Sequence, residues 1–408
     1  METLKFLMIS SHYPPSHLGG DAMMVQYLSE ELTLQGHEVH VIYNPAVYEL
    51  VRKKSPLNPA DTPSFPSPFI HTATENGRMS VLAALTIDES ARSRADILDL
   101  ARQLKPDVVH WHNTKGFIGR PFIFHDAMTL YTAHDYYAVC PRSNLLRPDM
   151  SFCERPKLCQ ICLTRWKKPP QIWRIGSRRV IRFPEQMGVI CPSDFMSRRL
   201  MRDGIATHHL LRNFVPDPAP RVSAETSTGN SSIAFIGMLE PHKGPRTLLE
   251  AFAVSSDRQG FRLHIVGEGS LRNELNGKVK ALGLADRVSV PGFLPSSDVE
   301  SIRRNSAAIV VPSEWPENAP LTALESLALG VPVLASDAGG LPEIVGSESG
   351  SMIFKAGDVE NLVDCIVSLW QNRTHLREMK RKAREAYVNR FSPAVHVAQY
   401  LKIIHEGH

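Results

Sequence analysis

Two α/β domains, each a doubly wound parallel sheet covered by helices in the Rossmann-like manner, are the architecture this sequence predicts. Three observations predict it. The chain has 408 residues, too many for one ordinary core. Short apolar runs alternate with helical patterns along its length, as parallel strands joined by crossover helices do. Between two such series lies Asn213–Ser231, with three prolines and then serine, threonine, glycine and asparagine, a linker composition. The expected division is 1–212, a linker at 213–231, a second domain at 232–392 and a last helix at 393–408.

Strands are expected first at Lys5–Ser10, Glu38–Tyr43, Asp107–Trp111, Met128–Thr132, Gly188–Cys191 and His208–Leu211. The first helix takes Asp21 as its cap, lines one face with Met24, Val25, Leu28 and Leu32, and stops at Gly36. Ala46–Asn76 is proline-rich without a usable period and reads as a long loop. The second series places strands at Ser232–Ile236, Arg262–Val266, Val288–Val290, Ala307–Val311, Val331–Ala335 and Gly350–Phe354. Its helices fall near 245–257, 270–282, 297–305, 320–329 and 358–371.

With 43% apolar and 22% charged residues the composition is that of a soluble globular protein. Met1–Ser10 has no signal-peptide core, and no apolar run approaches the roughly 18 residues of a spanning helix. The expectation is a cytoplasmic protein, at most peripheral on the inner face of a membrane. A net charge of +4 is too small to argue for nucleic acid.

Chemistry concentrates in Pro312-Ser-Glu-Trp-Pro-Glu-Asn-Ala-Pro-Leu-Thr-Ala-Leu-Glu-Ser-Leu-Ala-Leu-Gly330. Pro320 is a good first helical residue, so Glu317 sits in the loop before a helix and Glu325 inside it. Leu321, Ala323, Leu324, Leu327, Ala328 and Leu329 make that helix apolar, and a carboxylate there needs a partner. A polyol with vicinal hydroxyls is one partner, and a nearby arginine is the plain alternative. The helix N-terminus between the two acids suits a phosphate.

This stretch resembles the donor-binding signature of the retaining family-4 glycosyltransferases, which adopt the two-domain GT-B fold. The resemblance implies two Rossmann-like domains facing each other across a cleft, with Glu317 on the donor sugar and Glu325 on the nucleotide ribose. It extends donor binding to Asn318, Ala319, Pro320 and Leu321, although the family usually has glycine where Pro320 stands. In Phe235-Ile-Gly-Met-Leu-Glu-Pro-His-Lys-Gly-Pro245, Gly237 ends a strand and Lys243 precedes a helix, where it can neutralise a diphosphate. An arginine usual to the family is replaced by Met238. Gly267 in Ile265-Val-Gly-Glu-Gly269 lets backbone approach a ligand. Gly292 and Phe293 fall where the family reads the base, and Ala335-Ser-Asp-Ala-Gly-Gly-Leu-Pro-Glu343 completes the signature.

In the first domain, Gly19 and Gly20 open a helix and match the family's glycine loop against donor or acceptor. Tyr131-Thr-Ala-His-Asp-Tyr-Tyr137 is similar to the family's Thr-x-His-Asp segment, which gives His134 the reacting centre. Asp135 is read as orienting that loop. His110 and His112 are lesser acceptor-side candidates.

Cys140, Cys153, Cys159 and Cys162 fall within 23 residues lacking a helix or strand period. The set fits a structural tetrahedral zinc site; free thiols and disulfides are the alternatives, the last disfavoured by a reducing cytosol. The run 165–182 holds seven basic residues, two tryptophans and no acid, which suits an anionic membrane surface or a solvated basic helix.

The resemblance implies a retaining transfer of a sugar from a nucleotide-diphosphate donor to a saccharide or lipid-linked acceptor in cell-surface polysaccharide or glycolipid synthesis. It implies no catalytic cofactor or divalent metal. A sugar-nucleotide epimerase or a non-catalytic nucleotide-sugar-binding protein on the same fold are the alternatives. Nucleotide base, sugar, acceptor and linkage are not legible.

Overall fold

A computed structural model describes residues 2–16, 19–51, 67–74, 77–88, 91–154, 158–176, 180–218, 232–256, 262–371 and 373–407. The chain divides into two compact units, Met1–Asn213 with His396–His408, and Phe214–Val395.

The first unit runs β1 (Lys5–Ser10), α1 (Gly20–Leu34), β2 (Glu38–Tyr43), α2 (Pro45–Val51), β3 (Phe69–Thr72), α3 (Arg78–Ile87), α4 (Ala91–Leu104), β4 (Val108–Trp111) and β5 (Met128–Thr132). It continues through α5 (Cys159–Arg165), β6 (Met187–Cys191), α6 (Asp194–Arg202) and β7 (His209–Leu210). Its seven described strands lie in the order β3-β2-β1-β4-β5-β6-β7, all parallel. Phe6, Leu7, Met8, Val108, Val109 and Trp111 are sealed from solvent, as strands covered on both faces require.

The second unit runs β8 (Ser232–Ile236), α7 (Pro245–Ser256), β9 (Arg262–Val266), α8 (Arg272–Ala281), β10 (Val288–Gly292), α9 (Ser296–Asn305) and β11 (Ala308–Val311). Then follow α10 (Leu321–Ala328), β12 (Val333–Ser336), α11 (Leu341–Ile344), β13 (Met352–Phe354), α12 (Val359–Gln371) and α13 (Leu376–Arg390). Its parallel sheet has the order β10-β9-β8-β11-β12-β13. Ile233, Phe235, Leu248, Phe252, Leu263 and Ile265 anchor the core.

Helix α14 (Pro393–Glu406) returns its later residues to the first unit. The Tyr400 hydroxyl meets His110 Nδ1 at 2.8 Å, and His396 Nδ1 meets the Arg212 carbonyl at 2.7 Å. No helix among the described residues is long and apolar enough to cross a membrane.

Strand order reverses between β1 and β4 in one sheet and between β8 and β11 in the other. Such switch points open a crevice at the carboxyl ends of the strands, where open α/β sheets bind ligands. They direct attention to the loops after Ser10 and Trp111, and after Ile236 and Val311.

Four local expectations are corrected. Ala46–Asn76 is not all loop: α2 and β3 lie in it, with Ala46, Val47 and Tyr48 buried and β3 pairing β2 at the sheet edge. A four-residue edge strand is too short to show a period; residues 52–66 and 75–76 of that stretch lie outside the described ones. Asp21 does not cap α1; Gly19 does, at φ 126°, and Asp21 Oδ1 accepts from the Ala22 amide inside the first turn. Pro320 is the residue before α10, with extended ψ 122°, so the helix starts at Leu321. The cysteine segment contains a helix, α5, whose seven residues hold too few turns for periodicity. Of the expected linker, residues 219–231 lie outside the described ones.

Candidate active site

The loop after β11 builds the most constrained group in the second unit. Glu317 is 5% exposed, and its Oε1 accepts from Lys243 Nζ at 2.6 Å, Ser313 Oγ at 2.5 Å and Trp315 Nε1 at 3.1 Å. Burial pushes its carboxyl upward, but the Lys243 charge and these bonds outweigh it and hold the group below the usual carboxylate range. Among the described residues no donor reaches Oε2. The backbone is fixed as well: the Gly340 amide donates to the Glu317 carbonyl at 2.7 Å. A side chain at Gly339, φ 68°, would lie 2.1 Å from that oxygen.

Beside it the ends of β8, β9 and β10 interlock through backbone. The Gly237 amide donates to the Val266 carbonyl and the Gly267 amide to the Gly292 carbonyl, each at 3.0 Å. Gly267 has φ 139°, and a Cβ there would sit 1.8 Å from the Gly237 carbonyl oxygen. Phe293, just beyond Gly292, is half exposed. Glu325 projects from α10 with its side chain 32% exposed and meets Arg303 of α9 at 2.6 Å through Oε2.

At the switch point of the first unit, Asn113 after β4 donates from Nδ2 to Asp21 Oδ2 at 2.7 Å, and Ser11 after β1 donates from Oγ to the Asn113 carbonyl at 2.8 Å. His134 is half-buried, its Nδ1 is shielded from solvent, and its Nε2 meets His112 Nδ1 at 2.9 Å. Burial pushes the His134 imidazole down to about 4, against the pull of the Asp21 charge. Asp135 accepts from the Tyr137 amide at 2.7 Å and so caps a one-turn helix at Tyr136–Ala138. Burial pushes its carboxyl up to about 6, opposed by the Lys115 charge. Lys115 donates to Ser143 Oγ at 3.1 Å, and burial lowers its ammonium.

Comparison with known proteins follows the same two halves. The family described as Glycosyltransferase Family 4 matches residues 18–216, and that described as Glycosyl transferases group 1 matches residues 220–386. An uncharacterized glycosyltransferase of Methanocaldococcus jannaschii is 24% identical over 400 residues, 94% of each chain. The chain belongs to the family-4-type GT-B glycosyltransferases. Sucrose-phosphate synthase from Thermosynechococcus elongatus shares the fold at a TM-score of 0.71 and 19% identity, over 99% of this chain and all of that one. Anabaena HepE in complex with UDP-glucose does so at 0.66 and 16%, over the same shares.

In this glycosyltransferase Lys243 and Glu317 stand together, as do the backbones of Gly237, Gly267 and Gly292. Asn318 is buried beside Glu317, and Ala319, Pro320 and Leu321 lead into α10. Gly19 and Gly20 open α1. Ser313 and Trp315 join the site without having been expected there, although both lie in the Pro312–Gly330 motif within four positions of Glu317. The plain alternative, a nearby arginine, is what the structure holds against Glu325; that it is Arg303 only the packing of α9 beside α10 reveals. His110 is locked between Thr132 Oγ1 and Tyr400 at 2.8 Å each, which makes it a core histidine.

The cysteine and basic segments of the glycosyltransferase are ordered by side chains that the sequence did not single out. All four cysteines are free thiols close enough to act on one another electrostatically, and among the described residues no group of three metal-ligating side chains is set to hold an ion. Hydrogen bonds order the segment. Gln160 Nε2 donates to the Gln171 carbonyl at 2.7 Å, its Oε1 accepts the Gln171 amide at 2.9 Å, and Gln171 Nε2 donates to the Pro141 carbonyl at 3.1 Å. Within 165–182, Trp173 and Arg174 point inward: Arg174 donates to the Tyr137 and Ala138 carbonyls at 2.8 and 3.1 Å. Trp166 lies under Arg142, 3.6 Å from guanidinium to ring centroid. The run is therefore partly core, and its residues 177–179 lie outside the described ones.

Proposed function

We propose that this glycosyltransferase takes a sugar from a nucleoside-diphosphate donor bound by its second unit and passes it, with retention, to a saccharide or lipid-linked acceptor. The observation that carries the reading is the half-occupied carboxylate of Glu317. Three donors fix Oε1, and Oε2 keeps its lone pairs for a sugar hydroxyl. Glu325 is held in the same way through Oε2 by Arg303, leaving Oε1 for a ribose diol. A lysine ammonium has three protons to donate, so Lys243 can hold Glu317 and still face a diphosphate. Its charge and the amides at the start of α10 then stabilise the leaving group without calling on a divalent metal. The leaving diphosphate accepts the acceptor's proton on the face it departs from, which yields retention. His134, kept neutral, contributes a hydrogen bond rather than a charge at the anomeric centre. The complex of HepE with UDP-glucose supports a uridine diphosphate sugar as the first donor to try.

Thermal unfolding against a panel of nucleotide sugars tests this. A cognate donor at about 100 dissociation constants should add roughly 2.7 kcal/mol, and Glu325→Ala should remove most of the shift while leaving the unliganded protein folded. No shift with any donor would overturn the reading.

A further inference from the structure

The first unit contains a cavity of about 670 Å³ that none of the residues assigned to donor or reacting centre lines, within the size range of ligand pockets. The first half of α4, the chain after β4 and the approach to β6 form its walls, with Arg94, Arg120 and Arg182 set against a single acid, Asp88. Asp88 is spent on Arg120, whose Nε reaches its Oδ2 at 2.7 Å. Arg94 lies over the Phe122 ring, 4.1 Å from the centroid. Stacking occupies the face of a guanidinium and leaves its N–H edge for a ligand. Neither Arg94 nor Arg182 has an acidic partner among the described residues. The walls are fixed: the Phe122 carbonyl accepts from Trp111 Nε1 at 3.0 Å, and Phe183 packs on Tyr131 at 4.5 Å.

The neighbouring surface is apolar. Ile87, Ile172 and Ile175 are each half exposed or more. Ile87 precedes Asp88 of the wall, and Ile172 and Ile175 flank Trp173, whose Nε1 donates to the Leu85 carbonyl at 3.0 Å and whose ring lies 5.7 Å from the Arg120 guanidinium.

We propose that this cavity is a second anion site that binds a phosphate ester, distinct from the donor diphosphate. The phosphate takes the free edges of Arg94 and Arg182, and the apolar rim accepts whatever the ester carries. A membrane phospholipid headgroup and a soluble phosphorylated compound share this chemistry.

The full-length protein separates them by flotation with phosphatidylglycerol against phosphatidylcholine vesicles and by calorimetry with glycerol 1-phosphate. Wild-type protein should bind one of the two anionic probes. The Arg94→Gln/Arg182→Gln variant should bind about 25-fold more weakly, some fivefold per guanidinium, with its Tm and its donor-induced shift unchanged. Vesicle binding without glycerol 1-phosphate binding assigns a lipid, and the reverse assigns a soluble ester. No binding of either probe by wild type, or binding the double variant retains, overturns the proposal. Because donor binding is read in parallel, failure here is distinct from failure of the donor assignment.

Discussion

Glu317 in the second unit and His134 in the first are both withdrawn from water, yet one is held charged and the other neutral. At Glu317 a cation and two neutral donors converge on one oxygen and outweigh desolvation. At His134 one partner is another imidazole, His112, which brings no opposite charge, and desolvation wins. The second unit thus offers fixed charge, suited to gripping a donor. The first offers polar groups whose protons are displaced from their ordinary positions. Burial alone decides neither; the partner does.

Removing that partner is the strongest way to break the contrast. Lys243→Met leaves Glu317 buried and unpaired, and should cost about 3–5 kcal/mol in urea unfolding at neutral pH. Since the folded-state value of Glu317 is depressed, its contribution is present above the ordinary carboxylate range and is lost as pH falls through the folded value. The variant's deficit should therefore shrink in acid. A deficit unchanged there would show that Lys243 acts through packing.

Gly267→Ala comes next. The added Cβ meets the Gly237 carbonyl at 1.8 Å in a backbone region that only glycine enters readily, so a loss of about 2–3 kcal/mol is expected. Wild-type stability would show that the strand ends of the second unit yield, and would dissolve their claim to be a rigid platform.

The first unit can be sharpened by titration. His134, pushed down to about 4, makes stability rise with pH between about 4 and 6.5, because the unfolded chain binds the extra proton there. Asp135, pushed up to about 6, makes stability fall with pH between about 4 and 6, because the folded chain holds the proton. The two oppose each other. Buried His110, His112 and His396 add to the rise, and Asp135→Asn should steepen it by up to about 1.4 kcal/mol per pH unit, read as unfolding midpoints at pH 4.5 and 6. An unchanged slope would remove the displaced protons from the first unit.

The smallest effect belongs to the cysteines. Cys159→Ser with Cys162→Ser should cost below about 1 kcal/mol, since Gln160, Gln171 and Arg174 order that segment. A collapse of the segment in limited proteolysis would show that the thiols themselves hold it together, as a metal site would require.

What the sequence revealed and what it hid divide by range. Elements whose apolar faces repeat over several turns, such as α1 and α12, and strands covered on both faces, such as β1 and β11, announce themselves locally. The Glu317 loop was legible because its residue types follow one another in the chain. An arginine beside Glu325 could be expected, but that it is Arg303 stayed hidden because it arrives from another helix. The inward turn of Trp173 and Arg174 stayed hidden because their partners, Leu85, Tyr137 and Ala138, lie far off in sequence. β3 is a short edge strand with Phe69 and Ile70 exposed, and its pattern resembles that of a loop.

The bond from Tyr400 to His110 has a consequence for synthesis. A ribosome finishes the first-unit strands long before it reaches α14, and at ordinary elongation speeds roughly 10–40 seconds separate Asn213 from Tyr400. Throughout that interval the His110 imidazole lacks the hydroxyl it will keep. The nascent first unit must wait with an unfinished interior while the second is made, so the half translated first is the half completed last.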